Sequence, residues 1–308
     1  MEFDHVLLIG FGGPRNQAEV RPFLEQVTRG TRIPEERIRE VEHHYEAIGG
    51  KSPYNEYTFQ LAAKLEERLA QSGAGLPVLT GMRNGHPFLK ETLSLIRERG
   101  LKRGFAIVLA SHRSDASYGK YIRSLEAAQK EAGASEIFYR LADPWHEDPL
   151  FIEAQAGQIL KVFKNPKMPG LEEMSLIFTA HAIPEAMAKE CLYREEFEAS
   201  SALVAGRLGV PRWKRAYQSR SGNPRDPWLE PDTHLVLEEV RAEGSKNVLF
   251  VPIGFLCDNA EVLYDLDIEA AGQARRLGLD YYRASSVMDH PAFVELLAQR
   301  IPRQGLRP

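Results

Sequence analysis

Cysteine is nearly absent: Cys191 and Cys257 are the only two in 308 residues, far apart and in no C-x-x-C pair. Two thiols cannot supply the four that an iron–sulfur cluster takes, and they make no disulfide scaffold. A reducing cytoplasm is the expected compartment. No apolar run reaches the roughly 18 residues of a membrane-spanning helix. The start, MEFDHVLLIG, has acids before its apolar stretch and no small-residue cleavage site, so it reads as a first strand and not a signal peptide. Excess positive charge is missing as well. Lys and Arg number 39 against 43 Asp and Glu, a net charge of −4 with no basic patch, which argues against a nucleic-acid partner. No P-loop, G-x-S-x-G or H-E-x-x-H occurs. LLIGFGGP fails the dinucleotide spacing, since Gly10, Gly12 and Gly13 are followed by Pro14. Those glycines either let backbone pass close to a flat ligand or turn the chain.

What is present is an ordinary folded composition, 43% hydrophobic and 27% charged. Strand-like runs stand at 5–10, 77–83, 105–111 and 137–142, and again at 174–180, 215–219, 247–253 and 279–284. Amphipathic segments alternate with them, and four plus four predicts an α/β protein with two parallel sheets. The two-proline stretch LADPWHEDPL marks the crossover, giving domains 1–143 and 144–308, with a terminal helix at about 290–301 that can pack back on the first domain. Asn55 is a candidate N-cap and Gly73 a stop for one helix; Gly100 ends the next. Ligands of open parallel sheets bind beyond the carboxyl ends of strands. That selects the loops at 10–14, 83–87, 111–121, 181–185 and 219–228, expected to face one cleft.

It also selects CDNAEVLYDLDIEA, 257–270, where five acids follow an apolar run. Asp258, Glu261, Asp265 and Glu269 are spaced i, i+3, i+7 and i+11. On an α-helix they share an arc of roughly 80°, with Asp267 near the opposite side. Such a stripe is either a solvated surface face or a track that cations visit, because close acids repel one another and only Arg275 and Arg276 lie near to offset them. Hard carboxylate oxygens suit a divalent metal. His181 ends an apolar strand ahead of Pro184. It is either a structural histidine bonded to a loop carbonyl or a base and metal ligand facing Glu261. Trp228 and Pro231 precede a helix N-cap at Asp232 or Thr233, or offer a surface to a flat aromatic ligand.

Taken in order, LLIGFGGP, VRPFLEQVTRG, HYEAIGGKSPYN, GMRNGHPFLKETL, FTAHAIPE, YQSRSGNPRDPWLEPDT and VPIGFLCDNAEVLYDLDIE resemble the ferrochelatase family, which inserts ferrous iron into a porphyrin. The resemblance implies two Rossmann-like domains with a porphyrin cleft between them. It places the catalytic histidine at His181, its paired glutamate at Glu261, and an acidic conduit for protons or hydrated metal at Asp258, Asp265 and Glu269. It also implies a π-type distortion in that helix. A histidine common after the first acid is Asn259 here, and a tyrosine of some relatives is Phe11. VTRG and HYEAIGGKSP look like the coproporphyrin III branch. Phe11 can still pack on the macrocycle, and in that branch Arg29, Tyr45, Ser52 and Tyr121 align with positions near the propionates, with Arg29 a buried guanidinium costly to leave unpaired. Fe(II) is then a substrate, and no tightly bound cofactor or iron–sulfur cluster is expected. Porphyrin and ferrous iron are the expected partners, without nucleic acid or an integral membrane segment, and the protein is expected to be a monomer. Protoporphyrin IX as substrate, or a non-catalytic tetrapyrrole or metal carrier, are the alternatives.

Overall fold

The computed structural model describes residues 3–30, 33–165, 168–221 and 226–302. The GNPR part of the 219–228 loop, residues 222–225, lies outside them. Eight strands form, each where an apolar or β-branched run predicts one. The first sheet has the order β2-β1-β3-β4, with β1 at His5–Gly10, β2 at Val78–Met82, β3 at Arg103–Val108 and β4 at Phe138–Leu141. The second has the order β6-β5-β7-β8, with β5 at Met174–His181, β6 at Trp213–Gln218, β7 at Asn247–Val251 and β8 at Asp280–Arg283. Every pairing is parallel. The central strands are buried along nearly their whole length, as sheets covered by helices on both faces require.

The chain divides into two compact units. One comprises Met1–Leu109, Ser117–Asp143 and Phe293–Pro308; the other comprises Ala110–Ala116 and Pro144–Ala292. The short 110–116 stretch therefore belongs with the second unit, which the sequence pattern did not indicate. The terminal helix, Pro291–Arg300, is tied to the first unit by Arg68, whose NH2 nitrogen donates to Glu295 at 3.1 Å.

Two local expectations change. Asn55 is no N-cap: Pro53 precedes the helix Tyr54–Gln71. Asn55 instead accepts from Gly13 N at 3.0 Å and donates to Gly13 O at 3.0 Å. The glycines of GFGGP admit the chain's own backbone and side chains. A Cβ on Gly12, which has φ +87°, would lie 2.9 Å from Gly85 N, and one on Gly13 would lie 2.7 Å from Ser52 Cβ. Asp232, by contrast, caps the helix Thr233–Ala242 as read, accepting from Leu235 N at 2.8 Å.

The acidic segment departs most from α-helical geometry. Residues Val262–Ala270 wind as a π-helix, and Asp258 precedes it in irregular backbone. Its buried residues Val262, Leu266 and Ala270 recur every four positions and pack on Phe250 of β7. Glu261, Asp265 and Glu269 recur every four as well. Repeats of four drift by roughly 40° each on an α-helix. The wider i→i+5 turn keeps both rows closer to the helix axis.

Candidate active site

In the second unit, β5 runs buried up to His181, its final residue. Gly254, in the turn after β7, brings the acidic segment to this point. A Cβ there would lie 2.6 Å from Ala180 Cα, and its N–H donates to Thr179 O at 2.9 Å. The Tyr193 hydroxyl donates to His181 O at 2.9 Å. His181 Nδ1 lies 2.5 Å from Ala182 O, so Nδ1 carries the proton it donates and Nε2 is the atom left for chemistry. Nε2 stands 3.6 Å from Glu261 Oε1. That is ion-pair distance, too long for a hydrogen bond. The two side chains keep 31% and 42% of their surface open, so their attraction adds little to stability while both stay reachable.

Burial presses the His181 imidazolium downward, but Glu261, the Ala182 carbonyl and Asp265 outweigh it and hold the group above its usual range. Burial would raise Glu261, and His181 and Asn259 overcome that to hold it low. Asp265 behaves differently. Burial, with the charges of Glu261 and Glu269, pushes its carboxyl up to about 7 against the pull of a Ser219 hydrogen bond. Along this wall, mutual attraction raises the imidazole and lowers the carboxylate of the pair, and burial lifts the neighbouring acid to about 7. Glu269, one repeat further, is exposed.

The four acids do not form one stripe. Asp258 Oδ2 accepts from Arg283 NH1 at 3.0 Å, and its Oδ1 accepts from Ser286 N at 2.9 Å. Asp267, expected near the opposite side of the helix, takes two bonds from the same Arg283, at 2.6 and 2.9 Å. Charge is therefore offset by Arg283 of β8, not by Arg275 and Arg276, and at Asp265 by a proton. Asn259, in the position of the family's histidine, caps the helix by accepting from Val262 N at 3.0 Å. Cys257 is buried, and its thiol is pushed well above its usual range by that burial and by Asp258 and Glu261. Among the described residues no three His, Cys, Asp or Glu side chains converge as a metal cage.

Residues outside the expected set also touch this wall. Ser219 has φ +62°, a conformation rare outside glycine, and its hydroxyl donates to Asp265. Gln218 Nε2 reaches Glu261 O at 3.3 Å. Neither carries a sequence signal beyond standing at the carboxyl end of β6, Gln218 as its last residue and Ser219 just after it.

In the first unit, Tyr45, Ser52 and Tyr121 are buried, Phe11 is half-buried, and Arg29 is exposed. Arg29 was expected to be the buried guanidinium. It sits one residue past the C-cap of the helix Gln17–Val27, in the turn that follows. The cation held among aromatics is Arg83, just after β2. Its guanidinium lies 5.8 Å from the Phe11 ring centroid and 5.1 Å from that of Tyr121. Nε donates to Ser124 Oγ at 3.1 Å. Burial pulls its pKa below the usual arginine range, and no carboxylate among the described residues pairs with it. Beside it, Asn84 is 8% exposed, and its Nδ2 has no partner among the described residues.

This fold of two four-stranded parallel sheets is shared with solved structures. SirB from Bacillus subtilis superposes with a TM-score of 0.59 at 11% identity, covering 98% of this chain and 94% of that one. CbiX, the terminal enzyme of siroheme biosynthesis in denitrifying bacteria, gives 0.58 at 15% identity, covering 96% and 97%. Sequence narrows the class. A family model described as Ferrochelatase matches residues 4–304. A Rhodopirellula baltica protein named ferrochelatase is 38% identical, over 96% of this chain and 84% of its own. Coproporphyrin III ferrochelatases of Mycolicibacterium smegmatis and Mycobacterium marinum are 34% and 38% identical, covering 100% and 93% of this chain and 92% and 82% of theirs. The chain belongs to the ferrochelatase family, enzymes that insert iron into a porphyrin in heme biosynthesis. Among the described residues no helix is long and apolar enough to cross a membrane.

Proposed function

We propose that this chain inserts Fe(II) into coproporphyrin III in preference to protoporphyrin IX. The observation that carries the chemistry is the unsaturated His181–Glu261 pair, with Asp265 poised near neutrality beside it. Insertion replaces two pyrrole protons by one divalent ion. Neutral His181 accepts a pyrrole proton at Nε2. Glu261 receives the ion, and the two displaced protons leave one after the other from His181 by way of Asp265 toward Glu269. Asp258 has no part in that path, because Arg283 and Ser286 occupy both its oxygens. Asp265→Asn is expected to lower kcat about tenfold, a barrier change of ~1.4 kcal/mol, and to remove an inflection near the value of about 7 that burial imposes. A kcat–pH profile keeping that inflection would remove Asp265 from the path.

The substrate choice rests on the names of the mycobacterial relatives and on the first unit. Coproporphyrin has four propionates and protoporphyrin two, so the more acidic ring gains more from a guanidinium lacking a carboxylate. Arg83, flanked by Phe11 and Tyr121, supplies one, and Asn84 adds a donor; Tyr45 and Ser52 are buried polar groups of the same unit. Arg83→Leu is expected to raise KM for coproporphyrin III about tenfold, ~1.4 kcal/mol of binding, with kcat within about twofold. Arg29→Leu should do less, its side chain being already solvated. The decisive comparison is kcat/KM for both porphyrins in detergent just sufficient to keep protoporphyrin monomeric. A preference for protoporphyrin would overturn the substrate reading and leave iron insertion standing.

A further inference from the structure

A π-helix nine residues long is an unusual feature, because i→i+5 windings occur mostly as single turns inside α-helices. Something must prevent Val262–Ala270 from rewinding. Its apolar row packs on the sheet, but Val262, Leu266 and Ala270 could slide within a cluster of apolar side chains, whose contacts have no fixed direction. A directional contact resists such sliding better than an apolar one, since it fails after a small rotation. One arginine makes that contact at two places. Arg283 grips Asp267, inside the π segment, through Nε and NH2 at 2.6 and 2.9 Å, and Asp258, ahead of the helix, through NH1 at 3.0 Å. The side chain is 14% exposed, and Asp258 and Asp267 are 12% and 35% exposed. Two parallel bonds from a planar fork fix direction as well as distance. The backbone of Arg283 is held in the β8–β7 ladder, opposite Phe250, so the fork is anchored to the sheet.

Rewinding one turn to α would rotate every following side chain by roughly one residue's 100° step. Asp267 would then lose the fork, and Asp265, two residues before it, would swing from Ser219. We propose that Arg283 is a positioning residue. By clamping Asp258 and Asp267 together it holds the segment in its π register and keeps Glu261 facing His181 and Asp265 facing Ser219. Its effect on turnover rests on the catalytic reading above; its effect on the helix does not.

The test uses full-length protein and two readouts, steady-state iron insertion and amide hydrogen exchange. Arg283→Gln is expected to lower kcat at least about tenfold, leave porphyrin KM within about twofold, and speed exchange across 262–270 at least about tenfold while first-unit amides stay unchanged. Arg283→Lys, which cannot form the fork, should recover only part of kcat. Arg276→Gln, an exposed arginine of the following helix, controls for lost charge and should change neither readout. Folded Arg283→Gln with kcat within twofold overturns the positioning role, and unchanged exchange overturns the clamp. Should Arg283→Gln fail to fold, Asp267→Asn removes the helix arm alone and is judged by the same two limits. If the wild-type protein itself inserts no iron, the catalytic reading fails while exchange still decides the clamp.

Discussion

Replacing His181 with alanine is expected to leave a folded protein that binds porphyrin with unchanged affinity and turns over at less than about a hundredth of the wild-type rate. The imidazole is not part of the core: its side chain is 31% exposed, and the strand behind it is filled by its own apolar residues. Removing it costs one hydrogen bond to the Ala182 carbonyl and the contact with Glu261. What vanishes is the Nε2 lone pair, which no neighbour replaces. Glu261 is held low and is a poor base, and Asp265 is on the next turn of the helix. A hundredfold loss corresponds to ~2.7 kcal/mol of barrier, within what a positioned acid–base group contributes. Fluorescence titration with porphyrin and single-turnover iron insertion measure the two quantities separately. Retention of more than about a tenth of wild-type kcat would remove His181 from the proton-accepting role.

Glu261→Gln is the second large effect, about fiftyfold in kcat, ~2.3 kcal/mol, and it carries a pH signature. In the wild type the Glu261 carboxylate is the main influence raising His181. A base must be neutral to accept a proton, so wild-type kcat should climb as pH rises through that raised pKa. The amide takes the negative charge away, and burial then pulls His181 down. The rising limb of the Glu261→Gln profile should therefore move to lower pH while its plateau falls. The same shifts fix how the pair affects folding. His181, raised, contributes stability below its unfolded pKa near 6.5 and loses it as pH climbs through the folded value. Glu261, lowered, contributes above about 4.5 and loses it as pH falls through its folded value. The substitution should flatten both edges only slightly, because the two side chains keep 31% and 42% of their surface open to screening water. A rising limb that stays in place would mean that Glu261 does not set the base.

Local rules explain why so much of this fold was readable. A parallel strand buried on both faces must be a short, nearly continuous apolar run, and HVLLIG, MSLIFTA and NVLFVPI are such runs. Ligand loops follow at their carboxyl ends, which is how His181 and Glu261 could be singled out without coordinates. The winding of the acidic helix was legible only through resemblance, although the two rows spaced by four were present in DLDIEA and its flanks. An α-period assumption absorbs that spacing as drift, and the buried row on the sheet and the Arg283 contacts appear only in three dimensions.

Pairing of charges lay beyond the sequence. Asp258 and Asp267 look like two more acids in a stripe, yet Arg283 reaches both from a strand that begins ten residues past the π segment. Arg29 and Arg83 are both arginines in loops that follow a regular element, and nothing local says which is solvated. Arg83 is half-buried, with Phe11 and Tyr121, distant in the chain, beside its guanidinium. Asp265 reads as one more acid of the stripe, and its rise to about 7 comes from desolvation by residues the chain brings around it. Sequence by itself determined the strands and their grouping four and four into parallel sheets, and placed a histidine and a glutamate at and after strand ends, because those depend on near neighbours and residue type. Tertiary structure alone decided which charges are paired, which are buried and which way each helix turns, because electrostatic free energy depends on distance in space and on the water that folding removes.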